Sequence, residues 1–199
     1  MGITVTPAAV LEYEMENPDA DQAAIAAQLV AWAEDDTVEH AEGSDPRYLL
    51  VSAAEHLGFA GDFDGQLAML DRAERIEGDS YVKLDAYRID ALLHLGRVDE
   101  AKVLADALRK SDSPDPFTCE VVSQAYLDHR DTKQALRWLN IGLRLLEDAA
   151  PDEGLDTVLD MMLIRRYGIR RATAMPMDAY DEEAEEIIAD RDEAQQNGD

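Results

Sequence analysis

The triplets Gly61-Asp62-Phe63, Gly96-Arg97-Val98 and Arg130-Asp131-Thr132 lie 35 and 34 residues apart, and their spacing decides the fold. A period of that length is one helix-turn-helix unit. Each triplet sits between two amphipathic stretches. Upstream, the spacing predicts helices over roughly 46–60, 80–95 and 116–129; downstream it predicts 64–77, 99–110 and 132–147. Asp45-Pro46, Asp79-Ser80 and Asp115-Pro116 each put a capping residue before a first helix.

Aligned on the triplets, the units share columns. Ala54, Ile89 and Ser123 fall together, as do Leu57, Leu92 and Tyr126. After the turn the columns are Gln66, Ala101 and Ala135, then Leu70, Ala105 and Leu139, then Ala73, Leu108 and Gly142. With its period, this pattern resembles tetratricopeptide (TPR) repeats over 46–148. The resemblance implies an α-solenoid of about three hairpins, each hiding its apolar face against the next. Departures exist: Leu50, Asp85 and Cys119 replace an early aromatic, Ile89 and Gln66 replace small residues, and Lys102 interrupts an apolar column. A generic helical bundle is the alternative.

The flanks are also helical in pattern. Residues 1–7 read as an unstructured start. A short helical stretch with Val10, Leu11 and Met15 stops at Asn17-Pro18, because the residue before proline disfavours helix. Asp19 or Asp21 can cap a second helix carrying Ala24, Ile25, Gln28, Leu29 and Trp32, and 35–45 reads as a polar loop. Segment 1–45 is thus a helical pair with an acidic loop. In 149–176, a helix over about 154–174 (Leu155, Val158, Leu159, Met162, Leu163, Ile169) has the form of a solenoid cap, ended by Pro176. Segment 177–199 is an acidic helix (Tyr180, Ala184, Ile187, Ile188) and a tail.

Of 199 residues, 46% are hydrophobic, enough for a core, and the formal charge is -26. Residues 1–45 hold 11 acids and no Lys or Arg; 46–150 hold 19 acids and 13 bases; 151–199 hold 14 and 5. Such a field opposes nucleic acid and anionic lipid as partners. It fits plain solubility or an acid-biased proteome, and it fits a basic partner. A single cysteine, no signal-like N-terminus and no run of 18 apolar residues make cytoplasmic residence the expectation. Met1-Gly2-Ile3-Thr4-Val5-Thr6 fits a myristoylation pattern, but the wholly acidic residues after it oppose membrane attachment, so we take the match as chance.

Chemistry finds little foothold. His40, His56, His94 and His129 have no partners at metal-ligand spacing, Cys119 reads as a buried apolar residue, and no nucleophile elbow, P-loop or dinucleotide motif occurs. The expectation is a non-enzyme with no cofactor and no metal.

The TPR resemblance implies a partner surface on the first helix of each unit. That surface would hold Tyr48, Val51 and Glu55, then Lys83, Tyr87, Asp90 and His94, then Phe117, Glu120, Gln124 and Asp128. The family's clamp for acidic tails needs several basic residues there, and only Lys83 is basic, so that clamp is absent. Aromatics among carboxylates favour a basic or amphipathic segment of a protein partner. The plainer reading is that the acids are solvated and the groove is filled by the chain's own terminal helix. Arg165, Arg166, Arg170 and Arg171 then face Asp181, Glu182, Glu183, Glu185 and Glu186 as an intramolecular clasp, or else bind an external anion. The function expected is an adaptor or carrier; the alternative is an acidic regulatory subunit that mimics nucleic acid towards a basic partner.

Overall fold

A computed structural model describes residues 4–16, 21–77, 82–111, 114–147, 149 and 153–197. Among the described residues the architecture is all-helical but for one two-residue strand pair. Backbone contacts divide the chain into two compact units, Met1–Ala107 and Leu108–Asp199.

In the first unit, β1 (Thr4–Val5) runs parallel to β2 (Glu39–His40). These residues are therefore neither an unstructured start nor a plain loop. Burial drives the pairing: Val5 joins Val10, Ile25, Ala26, Leu29, Val38, Leu49 and Ala53 in one apolar cluster. The Val5 carbonyl accepts from the Ala41 N–H at 2.9 Å and from the buried Ser44 hydroxyl at 2.7 Å, so its burial leaves it satisfied. Helix α1 (Pro7–Glu16) contributes the buried Val10 to that core and packs Tyr13 against it, while Leu11 and Met15 are exposed. Helix α2 (Gln22–Glu34) is capped by Asp21, whose carboxylate accepts from Ala23 N; Asn17, Pro18 and Asp19 lie outside the described residues. Trp32 of α2 meets Tyr13 of α1 edge to face at 5.2 Å between ring centroids.

Next come α3 (Pro46–Phe59), α4 (Phe63–Glu74), α5 (Leu84–His94) and α6 (Val98–Lys110), the last straddling the division between units. Helix α3 packs on α2 and on α4, and α4 packs on α5. Asp45 caps α3 through Tyr48 N. Helix α5 begins at Leu84, later than the spacing predicts; Lys83 is its cap position without a side-chain bond, and Asp79 and Ser80 lie outside the described residues. Gln66, where the pattern wants a small residue, is buried and fits because it lies over Gly58: a Cβ there would meet the Gln66 amide at 2.8 Å. Arg88 ties α5 to α4, reaching Glu74 at 2.9 Å and Asp71 at 3.1 Å besides its own-helix partner Asp85. Burial works against its charge, yet the three carboxylates hold that guanidinium above its ordinary pKa.

The second unit contains α7 (Pro116–Asp128), α8 (Thr132–Glu147), α9 (Glu153–Ala172) and α10 (Ala179–Asn197). Asp115 caps α7 through Thr118 N at 2.8 Å. Gly142 marks the tightest crossing: a Cβ there would lie 2.2 Å from Met162 Cε and 3.0 Å from Cys119 Cβ, so α7, α8 and α9 meet where only hydrogen fits. Trp138, Leu139, Leu143, Met162 and Leu163 complete this core. Helix α10 packs on α9.

The three turns that set the period are equivalent atom for atom. Gly61, Gly96 and Arg130 have φ of 78°, 73° and 62°. Their N–H groups bond to the carbonyls of Gly58, Leu93 and Leu127, and the next N–H groups, of Asp62, Arg97 and Asp131, bond back to Leu57, Leu92 and Tyr126. Each is the left-handed C-terminal motif in which one residue reverses the chain and satisfies the last helical carbonyls. Asp62 and Asp131 then cap the following helix, through Gly65 N at 2.9 Å and Gln134 N at 3.0 Å. Helix α9 ends likewise, with Ala174 at φ 52° and Met175 N bonded to the Arg170 carbonyl, so it stops before Pro176 is reached.

A Cβ would meet nothing within 4 Å at Gly61 or Gly96, so substitution there tests conformation alone. Gly61→Ala and Gly96→Ala should each cost about 1 kcal/mol in urea unfolding, whereas Arg130→Gly should be neutral or stabilising by up to about 1 kcal/mol.

Candidate functional site

The implied partner surface divides between the units. In the first, Tyr48 of α3 is half-buried against the N-terminal cluster, Val51 is buried and Glu55 is half-buried. Helix α5 touches α3 and brings Lys83, Tyr87, Asp90 and His94 to that side of the chain. Tyr87 retains only 9% of its surface, so it serves packing first. His94 lies 3.2 Å from Asp90, and its ring stacks on Phe63 of α4 at 4.2 Å and 13°. In that trio the side chains are organised on each other.

In the second unit the lining is claimed by the protein itself. Arg165 of α9 donates to Glu120 Oε1 at 2.5 Å, and α9 packs against α7. Gln124 donates to Asp128 at 2.7 Å, and Phe117 is half-buried. The third group of residues is therefore covered in part by a terminal helix, the longer α9 rather than the acidic α10.

The clasp between α9 and the chain after Pro176 is present: Asp181 is a partner the charge pattern names, while Asp178 and Asn140 are not. Arg166, only 4% exposed, donates from Nε to Asn140 Oδ1 at 2.8 Å, from Nη1 to Asp178 and Asp181 at 2.9 Å each, and from Nη2 to Asp178 at 2.6 Å. Its guanidinium also sits 5.0 Å from the Tyr180 ring centroid. Arg170 donates to Asp181 Oδ2 at 2.9 Å and to the Pro176 carbonyl at 2.5 Å. Asp178 and Asp181 accept from each other's backbone N–H at 3.3 and 3.1 Å, a reciprocal cap on α10. Asp178-x-x-Asp181 just after a proline is the signal that could have found it. Arg171 instead donates to Tyr167 OH, which donates to Glu185 at 2.5 Å. Tyr180 donates to Glu147, and burial first, then that carboxylate, pushes its phenol up to about 12.

The groups with chemical potential are quiet. Burial, and secondarily Asp115, raises the Cys119 thiol to about 12, far from a thiolate at neutral pH. His56 bridges Gln22 at 2.7 Å and Glu14 at 3.1 Å, joining α3 to α2 and α1. Among the described residues, no three His, Cys, Asp or Glu stand where they could hold a metal ion, and no helix is long and apolar enough to cross a membrane.

Arg166→Gln would leave Asp181, 3% exposed, with Arg170 as its remaining cation and would remove the Arg166 bonds to Asp178, and should cost about 3 kcal/mol in unfolding free energy. Arg191→Gln, which removes an exposed pair with Asp160, should change little. The Arg166 hydrogen bonds hold the Asp178 carboxyl below its ordinary range; burial opposes them, and the charges of Arg166 and Arg170 add to them. A depressed carboxylate stabilises fully above its unfolded pKa, about 4, and that contribution disappears as pH falls through the folded value. Melting temperature should therefore drop more steeply below pH 4 in the wild type than in Asp178→Asn. No family model, curated protein or solved structure matches the chain, so its function is argued from its own residues.

Proposed function

We propose that this chain is a non-catalytic protein-interaction module of the cytoplasm, a TPR-like α-solenoid that acts as adaptor or carrier for a basic segment of a partner. The observation that carries the reading is the threefold recurrence of one left-handed turn, at Gly61, Gly96 and Arg130, with the same hydrogen bonds each time. Arrays of this kind present the same helix faces in series, which suits an extended or helical ligand. The buried columns support it as well: Ala54, Ile89 and Ser123 are all inaccessible, as are Ala101 and Ala135.

Charge selects the partner. Residues 1–107 carry 23 acids and 7 bases. In that unit a recess of about 470 Å³ is lined by Leu92, Val103, Leu104 and Ala107, with Asp99 and Glu100 among its lining. Val103 is 71% exposed. An apolar patch beside carboxylates fits an amphipathic helix whose polar edge is Lys- or Arg-rich. The quiet Cys119 and the absence of a metal-competent cluster among the described residues favour binding over turnover.

The test is affinity capture from the native cell, followed by titration of the identified partner's purified binding segment. We expect a basic segment whose affinity falls with salt and weakens about tenfold, about 1.4 kcal/mol, in Val103→Glu. Capture of an acidic segment, unchanged affinity in Val103→Glu, or mere self-association would contradict the reading. Competition by DNA for the same partner would favour a nucleic-acid mimic instead.

A further inference from the structure

Three arginines of the second unit converge on one cavity of about 400 Å³. Arg109 comes from the end of α6, Arg137 and Arg144 from α8, and Asn140 and Ile141 complete the lining. In a chain with 44 acids, none of the lining residues is a carboxylate. Arg137, Asn140, Ile141 and Arg144 recur on one face of α8, while Trp138, Leu139 and Leu143 bury the other. Neither Arg137 nor Arg144 forms a hydrogen bond or ion pair with a described residue, and both are exposed.

Asn140 makes the recess uniformly donating. Its Oδ1 accepts from the buried Arg166 Nε at 2.8 Å, so the amide NH₂ is the polar group left to a ligand. Planar guanidiniums and an amide donor suit an anion with several oxygens, each able to accept more than one hydrogen bond. Arg137 and Arg144 carry like charges with no ion-pair partner among the described residues, and a compact multivalent anion relieves their repulsion. The volume falls within the range of small-ligand sites, about 300–1,000 Å³. The acidity of the rest of the chain opposes a long polyanion far more than a small one. A neighbouring cavity shares Asn140 and Arg144 but adds Glu147 and Asp178, so the donor set ends there.

We propose that Arg109, Arg137, Asn140 and Arg144 form a binding site for a phosphoryl group, free or carried on a small organic molecule. Calorimetric titration at constant ionic strength tests it, with inorganic pyrophosphate and glycerol phosphate as probes. Pyrophosphate should bind the wild type saturably, and Arg137→Gln with Arg144→Gln should weaken it at least about tenfold. Arg137→Lys, which keeps the charge but loses the fork, should lie between, and Arg72→Gln in the first unit should bind as the wild type does. Binding of pyrophosphate alone assigns a free oxyanion; comparable binding of glycerol phosphate assigns an esterified one. No saturable binding of either probe, or equal binding by the double variant, overturns the proposal. Tighter binding of a polyglutamate peptide than of either phosphate also overturns it, and would mark the recess as a dock for an acidic protein.

Discussion

A helix of a dozen residues is marginal alone, because its nucleation is costly and its exposed apolar face contributes nothing. Most helices here are of that length, and each must meet a neighbour to persist. The left-handed residue at the end of α3, α5 and α7 meets this constraint. It reverses the chain within three residues, and after α3 and α7 the next helix packs back on the last, while its hydrogen bonds close the helical carbonyls. Glycine suits two of these positions. At the third, Arg130 adopts the same conformation at a cost, which shows that packing of α7 on α8 overrides local preference there.

Electrostatics works within this frame. The cations are few, and the best-connected of them join helices that follow one another: Arg88 spans α5 and α4, and Arg166 spans α9, α8 and the start of α10, while Arg165 links α9 to α7. Arg88 and Arg166 each gather acids that would otherwise repel. The arginines of α8 break that habit, since they collect no acid among the described residues and lie together at a cavity. That contrast is why they read as a site rather than as a brace.

Much of the fold was legible because its causes are local. Asp45-Pro46, Asp115-Pro116 and the turn triplets each act within four residues, so they can be seen in a linear string. What escaped depends on distance. The pairing of Val5 with His40 is too short to show a period and relies on Ser44, 39 residues from Val5. Glu120 appeared as a partner-facing acid because nothing in its neighbourhood announced Arg165, 45 residues on. Asp178 stands apart from the longer acidic run that begins at Asp181, so its charge does not stand out in the linear string. Arg109, Arg137 and Arg144 each look like an ordinary surface arginine until the helices bring them to one recess. The partner surface itself was legible only as a list of first-helix positions, and no linear signal separates those that face a ligand from Tyr87, which faces the core.

One turn geometry ends α3, α5 and α7. Scalar couplings across hydrogen bonds, measured by NMR on isotopically labelled protein, report it directly. The account predicts couplings from Asp62 N–H to the Leu57 carbonyl, Arg97 N–H to Leu92 and Asp131 N–H to Tyr126, with positive φ at Gly61, Gly96 and Arg130. Loss of the Asp131–Tyr126 coupling together with a negative φ at Arg130 would contradict it.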